Sequence, residues 1–178
     1  MKIRRRLFAA LVGSMLAAGV LTACMPTTTT IEGSRHELFD SLDSLTAASS
    51  LIAVVKVGDA VVADGRVRDT VYSTSVQNTF QPKGLATALA VEPSAPAEKV
   101  LVRQVGVQGD VAPYPFLKSG EVYLLFLTPT MLQGEASKQF YITGGSAGIY
   151  VEKDGTFSHG PFEEGDRLPE TLSAEDLQ

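Results

Sequence analysis

The chain has 178 residues, with 15 basic and 20 acidic side chains and one cysteine. Four of the basic residues lie in the first 23, so the 155 residues that remain after these 23 have a net charge near −9. That balance argues against a nucleic-acid partner and against a polybasic face for anionic lipid, and the lone cysteine excludes an intramolecular disulfide. The length fits one ordinary domain with a linker.

The amino terminus has the organisation of an export signal. A basic stretch at residues 2–6 precedes an uncharged apolar run at residues 7–21, and small residues lead up to Cys24. A permanent membrane-spanning helix needs about 20 apolar residues, so this run is short for a span. Two alternatives remain: an uncleaved anchor helix, and a secretory signal that leaves a free Cys24 thiol. The second is less favoured because an exposed thiol is reactive in an oxidising compartment.

Residues 21–24 read Leu-Thr-Ala-Cys and resemble the lipobox of bacterial lipoprotein precursors. The resemblance implies that residues 1–23 are a signal peptide, that a diacylglyceryl group is attached to the Cys24 thiol, and that the new amino terminus is acylated, for instance with palmitate. Each buried methylene contributes about 0.8 kcal/mol, so two or more chains anchor stably. The implied partner is the membrane, and the implied location is the extracytoplasmic face of the cell membrane.

A tether and a helix are predicted next. Residues 24–34 are rich in threonine and cannot bury enough apolar surface to order themselves, so we interpret them as a spacer. Ser34 is a suitable helix N-cap, with Glu37 three residues later. The apolar residues that follow at helical spacing are Leu38, Phe39, Leu42 and Leu45.

The rest of the chain has the pattern of short strands separated by turn residues. The predicted strands are residues 51–57, 60–63, 72–80, 99–107, 122–127, 140–143 and 148–152. We expect the first two to form a hairpin about residues 58–59, and we expect residues 122–127, apolar on both faces, to be a central strand covered on both sides. Residues 163–178 are acidic, and we expect this tail to form one last helical turn capped by Ser173. So many short strands favour a small barrel or sandwich.

The order of the elements between residues 50 and 152 resembles the OB-fold-like barrel of small lipoproteins from Gram-positive bacteria, and more distantly the netrin-like domain of tissue inhibitors of metalloproteinases. The resemblance implies a mainly β fold, a small closed or partly open antiparallel barrel with one N-terminal helix. The predicted organisation is a signal peptide at residues 1–23, a tether at 24–34, one barrel domain at 35–172 and a tail at 173–178.

The inhibitor activity does not follow from that resemblance. The inhibitory end of that family has a free amino-terminal cysteine that chelates zinc and is locked by disulfides. Cys24 would be lipid-modified here, and the chain has no second cysteine to pair with it. The fold alone implies no function.

One short motif has the letters of a catalytic site. Residues 144–148, Gly-Gly-Ser-Ala-Gly, match the nucleophile elbow with Ser146 as nucleophile, and Asp154 and His159 follow in the order that α/β-hydrolases use. An elbow needs a helix after the serine, whereas residues 149–151 continue as a strand, so a hairpin turn is the simpler interpretation.

No cofactor or metal is expected from the sequence. The only histidines are His36 and His159, and no pair of ligands has metal-binding spacing. Residues 64–65 and 154–155 are Asp-Gly turn formers, with calcium ligation as a weaker alternative.

The sequence therefore predicts a non-catalytic binding module, anchored at the membrane, with an envelope protein or a small ligand as its partner. The expected binding loops are residues 84–98, 108–119 and 128–139. The alternative is a small serine hydrolase or a peptidase-interfering protein that uses Ser146 or a barrel loop. A structural role in the envelope is a third hypothesis.

The anchor generates the first testable prediction. In cells, we expect the native chain in the membrane fraction with a lipid-modified amino terminus at Cys24, because acyl chains supply the membrane affinity. Mass spectrometry of the Cys24→Ala variant should show no lipid modification, and the cleaved variant should no longer be retained in the membrane fraction. The control variant Ser34→Ala should fractionate like the native chain. Undiminished membrane retention of Cys24→Ala would contradict the prediction.

Overall fold

The computed structural model describes residues 37–63, 68–80, 98–112, 114–160 and 166–177. Cys24, the tether, Ser34, His36, residues 64–65 and most of the loop 84–98 therefore lie outside the described residues. The strands are β1 (Leu51–Ala63), β2 (Asp69–Phe80), β3 (Lys99–Val105), β4 (Val122–Pro129), β5 (Gln139–Ile142), β6 (Ile149–Lys153), β7 (Thr156–His159) and β8 (Thr171–Leu172). One α-helix, α1 (Leu42–Ala47), precedes them, and short 3₁₀ helices span Gly134–Lys138, Gly145–Gly148 and Ala174–Leu177.

Five of the strands pair in a closed ring. β1 pairs with β2, β2 with β3, β3 with β5, β5 with β4, and β4 again with β1. The mainly β, barrel-like fold predicted from the sequence, with a helix before its first strand, is confirmed. The pair β3–β5 is parallel and the other four pairs are antiparallel. An odd number of strands cannot alternate in direction all the way round a ring, so one parallel pair is required.

The remaining strands extend one side of this ring. β6 pairs with the first half of β4, β7 pairs with β6, and β8 pairs with β7, all antiparallel. β4 therefore has β1 along one edge, and β6 followed by β5 along the other. The prediction that residues 122–127 form a central strand is correct.

The fold has two hydrophobic cores that meet at β4. Inside the ring, all five ring strands contribute, and β4 supplies Tyr123, Leu125 and Leu127. On the outer face of β1 and β4, a second core includes Leu124 and Phe126, and it is covered by α1, β6, β7 and the carboxy-terminal segment. Alternate residues of β4 thus enter different cores, as the two-residue period of a strand requires.

The predicted hairpin at residues 58–59 is wrong, because β1 continues without a turn to Ala63. Its register against β2 shifts between Val57 and Ala60, which marks a β-bulge. A Cβ atom at Gly58 would lie 2.9 Å from the carbonyl oxygen of Ser73, so this glycine allows two backbones to approach closely.

The helix is shorter than predicted and begins at Leu42. Ser41 caps it, since its hydroxyl accepts a 3.2 Å hydrogen bond from the Ser44 amide and its own amide donates to the Ser44 hydroxyl at 3.3 Å. Phe39 lies before the helix and is buried in the outer core. Its backbone is held there because its amide donates to Asp166 Oδ1 at 2.8 Å and the Arg167 amide donates to its carbonyl at 2.9 Å.

The carboxy-terminal segment closes the outer core. Leu177 is buried there, in the 3₁₀ helix that follows β8, and the Asp176 carboxylate accepts hydrogen bonds of 2.7 Å from the amide and hydroxyl of Ser173. These bonds lower the pKa of the Asp176 carboxyl. Within the residues that the structure describes, no helix is both long and apolar enough to cross a bilayer.

The two cores make a prediction about stability. Leu124→Ala and Leu125→Ala should each lower the free energy of unfolding by about 2–5 kcal/mol, because both side chains are fully buried, one in each core. Leu101→Ala is the control, since Leu101 is 37 % exposed, and it should cost less than about 1 kcal/mol. Chemical denaturation measures all three, and a small loss for either β4 variant would contradict the two-core description.

Candidate functional site

A cavity of about 380 Å³ lies between the segment that joins β3 to β4 and the strands β6 and β7. Its apolar walls include the rings of Tyr114, Phe116 and Tyr123 and the aliphatic side chains of Ile149 and Val151. The volume is within the range of sites for small molecules, which are mostly apolar with a few placed polar groups. The structure thus places part of the predicted binding loop 108–119 at the cavity, whereas residues 128–139 do not line it.

Gln104 fixes the connecting segment in place. Its side chain is buried at the end of β3, where Oε1 accepts a 2.9 Å hydrogen bond from the Leu117 amide and Nε2 donates to the Pro115 carbonyl at 3.1 Å. Through these two bonds the Gln104 side chain attaches the backbone of the segment to the end of β3. The Leu117 side chain packs in the inner core. Phe116, between them, is thereby held in the cavity wall.

Tyr114 lines the cavity next to Phe116. Its hydroxyl donates to the Val105 carbonyl at 3.2 Å, and its ring packs edge-on against Phe116 with centroids 6.4 Å apart. Burial raises the pKa of Tyr114, the bond to Val105 opposes the shift, and the charge of Asp69 adds to it. The phenol is therefore neutral at physiological pH and lies close to a buried carboxylate.

Asp69 belongs to a buried ion pair that joins β2, β3 and β5. Its Oδ2 is 2.6 Å from Arg103 Nε, and Arg103 Nη1 donates to Gln139 Oε1 at 2.9 Å. Both charged side chains are about one-tenth exposed. In the described part of the chain, Asp69 Oδ1 is buried and accepts no hydrogen bond. The strand pattern around residue 103 predicted a strand but could not reveal the pair, because Asp69 and Arg103 are 34 positions apart in the chain.

Glu121 is held at the cavity by Tyr123. The Tyr123 hydroxyl donates a 2.6 Å hydrogen bond to Glu121 Oε2 and accepts one from the Lys118 amide at 3.1 Å. Burial and this bond to a carboxylate both raise the pKa of Tyr123 well above its ordinary value. Lys118 Nζ is 3.7 Å from Glu121 Oε1, and its side chain is 69 % exposed. The carboxylate is therefore fixed by the neutral phenol, while the ammonium group remains in solvent.

Ser146 and His159, singled out in the sequence, line the same cavity. Ser146 is 4 % exposed. His159 Nδ1 is 2.7 Å from the Gly160 carbonyl oxygen, so this nitrogen bears the hydrogen and donates, and the ring packs edge-on against Tyr150 at 4.6 Å. Tyr150 is buried among apolar residues and donates to the Pro169 carbonyl at 3.1 Å.

Asp154 is not part of this site. It occupies the exposed turn between β6 and β7, where Asp154 and Gly155 have φ values of 54° and 81°. Two consecutive positive φ angles are typical of a type I′ hairpin turn, in which Asp-Gly is a preferred pair. The structure therefore brings together two of the three residues of the catalytic-triad hypothesis and places the third at a turn.

The glycines of the Gly-Gly-Ser-Ala-Gly motif have packing reasons. Gly144 and Gly145 have φ values of 65° and 60°; a Cβ at Gly144 would collide with the Phe39 ring, and one at Gly145 would lie 3.2 Å from Tyr114. At Gly148 a Cβ would lie 2.5 Å from the Thr143 carbonyl oxygen. The hairpin expected here is wrong, since a 3₁₀ helix joins β5 to β6 and both strands pair with β4.

Neither the comparisons with known proteins nor the arrangement of potential metal ligands assigns a chemical function to this site. No protein-family model matches the chain, and no curated protein matches it at a significant level. Across the described ranges, no group of three or more His, Cys, Asp or Glu side chains is placed to hold a metal ion.

The packing role of the motif gives a third prediction. Gly148→Ala should lower the free energy of unfolding by about 1–3 kcal/mol, because the new methyl group would press on two carbonyl oxygens and a side chain. Gly160→Ala, whose Cβ would meet no atom of the described residues within 4 Å, should leave stability unchanged. Thermal unfolding distinguishes the variants, and a neutral Gly148→Ala would contradict the account.

Proposed function

We propose that the protein is a lipid-anchored, extracytoplasmic binding module, and that its ligand enters the cavity beside β6. One observation carries the proposal: aromatic and aliphatic side chains line a volume of ligand size, and four polar side chains share that lining. This combination is the usual composition of a binding site for a small molecule. The four polar side chains are Lys118, Glu121, Ser146 and His159.

The anchor would hold this site close to the membrane surface. Twelve residues separate Cys24 from Glu37, where the described chain begins. Fully extended, a segment of this length spans about 40 Å, which sets the greatest distance between the anchor and the domain. A net charge near −9 after removal of residues 1–23 also disfavours adsorption to anionic head groups.

The geometry supports binding better than hydrolysis. The presence of Ser146 and His159 in one cavity favours a serine hydrolase as second candidate. However, Ser146 lies in a 3₁₀ helix between two strands, so no α-helix follows it to supply oxyanion-hole amides. His159 Nδ1 donates to a carbonyl oxygen, whereas in a catalytic triad this nitrogen donates to a carboxylate that stabilises the imidazolium.

A blocking variant tests the proposed site. The purified lipidated protein, in detergent, is screened with small polar and aromatic compounds by NMR, with shifts of cavity resonances as the readout. Gly160 lines the cavity, and a Cβ there would meet no described atom within 4 Å, so we expect Gly160→Phe to occupy part of the cavity without disturbing the core. We expect binding to weaken about tenfold or more in Gly160→Phe and to persist in the matched Gly160→Ala control.

Two results would overturn the proposal. Equal binding by both Gly160 variants would place the ligand elsewhere. Labelling of the native protein by an activity-based serine probe, abolished by Ser146→Ala, would replace the binding module with the hydrolase.

A further inference from the structure

We infer that the cavity selects a ligand that carries an organic ammonium group on a small apolar body. The inference rests on the proposed function, since it names the chemical class of the ligand in the same cavity. It is carried by a carboxylate in an aromatic lining: the Tyr123 hydroxyl fixes Glu121 at a cavity that Tyr114 and Phe116 also line.

The aromatic walls suit a cation. Tyr114, Phe116 and Tyr123 all line the cavity, and the first two pack edge-on, so their faces are not both consumed by mutual stacking. The face of an aromatic ring is negative and attracts an ammonium group within about 6 Å, most strongly where water is excluded. Rings of this kind surround quaternary ammonium ligands in other proteins.

Nearby carboxylates strengthen the attraction of the tyrosine rings for a cation. Tyr123 donates directly to Glu121 at 2.6 Å, which draws the phenol proton towards the anion and increases the electron density of the ring. The charge of Asp69 acts on Tyr114, although Arg103 neutralises part of it. Glu121 uses one oxygen for Tyr123, and a carboxylate has further lone pairs to offer a ligand.

The basic side chains of the protein near the cavity do not make it a site for an anionic ligand. Lys118 is 69 % exposed and its Nζ lies 3.7 Å from Glu121, so a ligand ammonium group can take its place beside the carboxylate. Arg103 is buried and bound to Asp69 and Gln139. His159, donating through Nδ1 to a carbonyl, is the remaining basic side chain in the lining. A carboxylate or phosphate ligand would meet Glu121 and be repelled.

The test uses ligands of one shape and different charge. The purified lipidated protein in detergent is titrated by NMR with choline, with 3,3-dimethylbutylammonium, with the neutral isostere 3,3-dimethylbutan-1-ol, and with the anion 3,3-dimethylbutyrate. We expect at least one cation to bind about tenfold tighter than the neutral alcohol, and the anion to bind most weakly. The two cations separate a quaternary from a primary ammonium preference.

Matched variants identify the residue responsible. Glu121→Gln should weaken cation binding about tenfold and leave the neutral alcohol unchanged, because only the charge is removed. Glu135→Gln is the control: Glu135 pairs with Lys138 at 3.0 Å with the same three-residue spacing, and it does not line the cavity. This control should bind every ligand as the native protein does.

The possible failures are distinguishable. Cavity shifts with equal or tighter binding of the alcohol or the anion would overturn the ammonium inference and leave the binding module standing. The absence of any shift with all four compounds would also overturn it, and the screen with the Gly160 variants would then decide the proposed function separately. Loss of cation binding in Glu135→Gln would attribute the effect to net charge rather than to the site.

Discussion

The fold depends on the hydrogen-bonding and packing demands of β4. Its apolar residues face two cores, so neither face is left to solvent, and its backbone must be paired along both edges. β1 satisfies one edge over residues 122–127, while β6 and β5 divide the other. Both β5 and β6 run antiparallel to β4, so the chain keeps its direction along this edge, and residues 143–148 loop out of the sheet between the two strands. Three glycines and a 3₁₀ helix at Gly145–Gly148 make this short excursion sterically feasible.

The cavity follows from this division of the β4 edge. Where β6 replaces β5 along this edge, the segment between β3 and β4 comes close to the connection between the two strands. Gln104 binds that segment to the end of β3, and Tyr114 packs against the backbone at Gly145. Ser146 and Ile149 consequently line the same cavity as Phe116. The site thus arises from the way the ring is closed and does not need a dedicated insertion.

The sequence predicted what short-range patterns determine. Alternation identified β2, the two-faced apolar run identified β4, and the Asp-Gly pair identified the turn after β6. It did not predict the bulge at Gly58, the burial of Phe39 or the anchoring by Gln104, because these depend on partners 15 to 127 positions distant or on side-chain bonds to another segment. A glycine that permits a close approach and a glycine that forms a turn look the same in one sequence.

Stability and binding can be altered separately in this domain. The chain has no second cysteine, so the two cores must provide the stability, and their members are almost fully buried. The polar groups at the cavity contribute little to it: the Lys118 and Glu121 side chains are 69 % and 41 % exposed, and such pairs add about 0–1 kcal/mol. Tyr123 is different, because it belongs to the inner core as well as to the cavity wall. Substitutions at Glu121 therefore report on recognition, whereas substitutions at Tyr123 combine recognition with packing and need a stability measurement beside them.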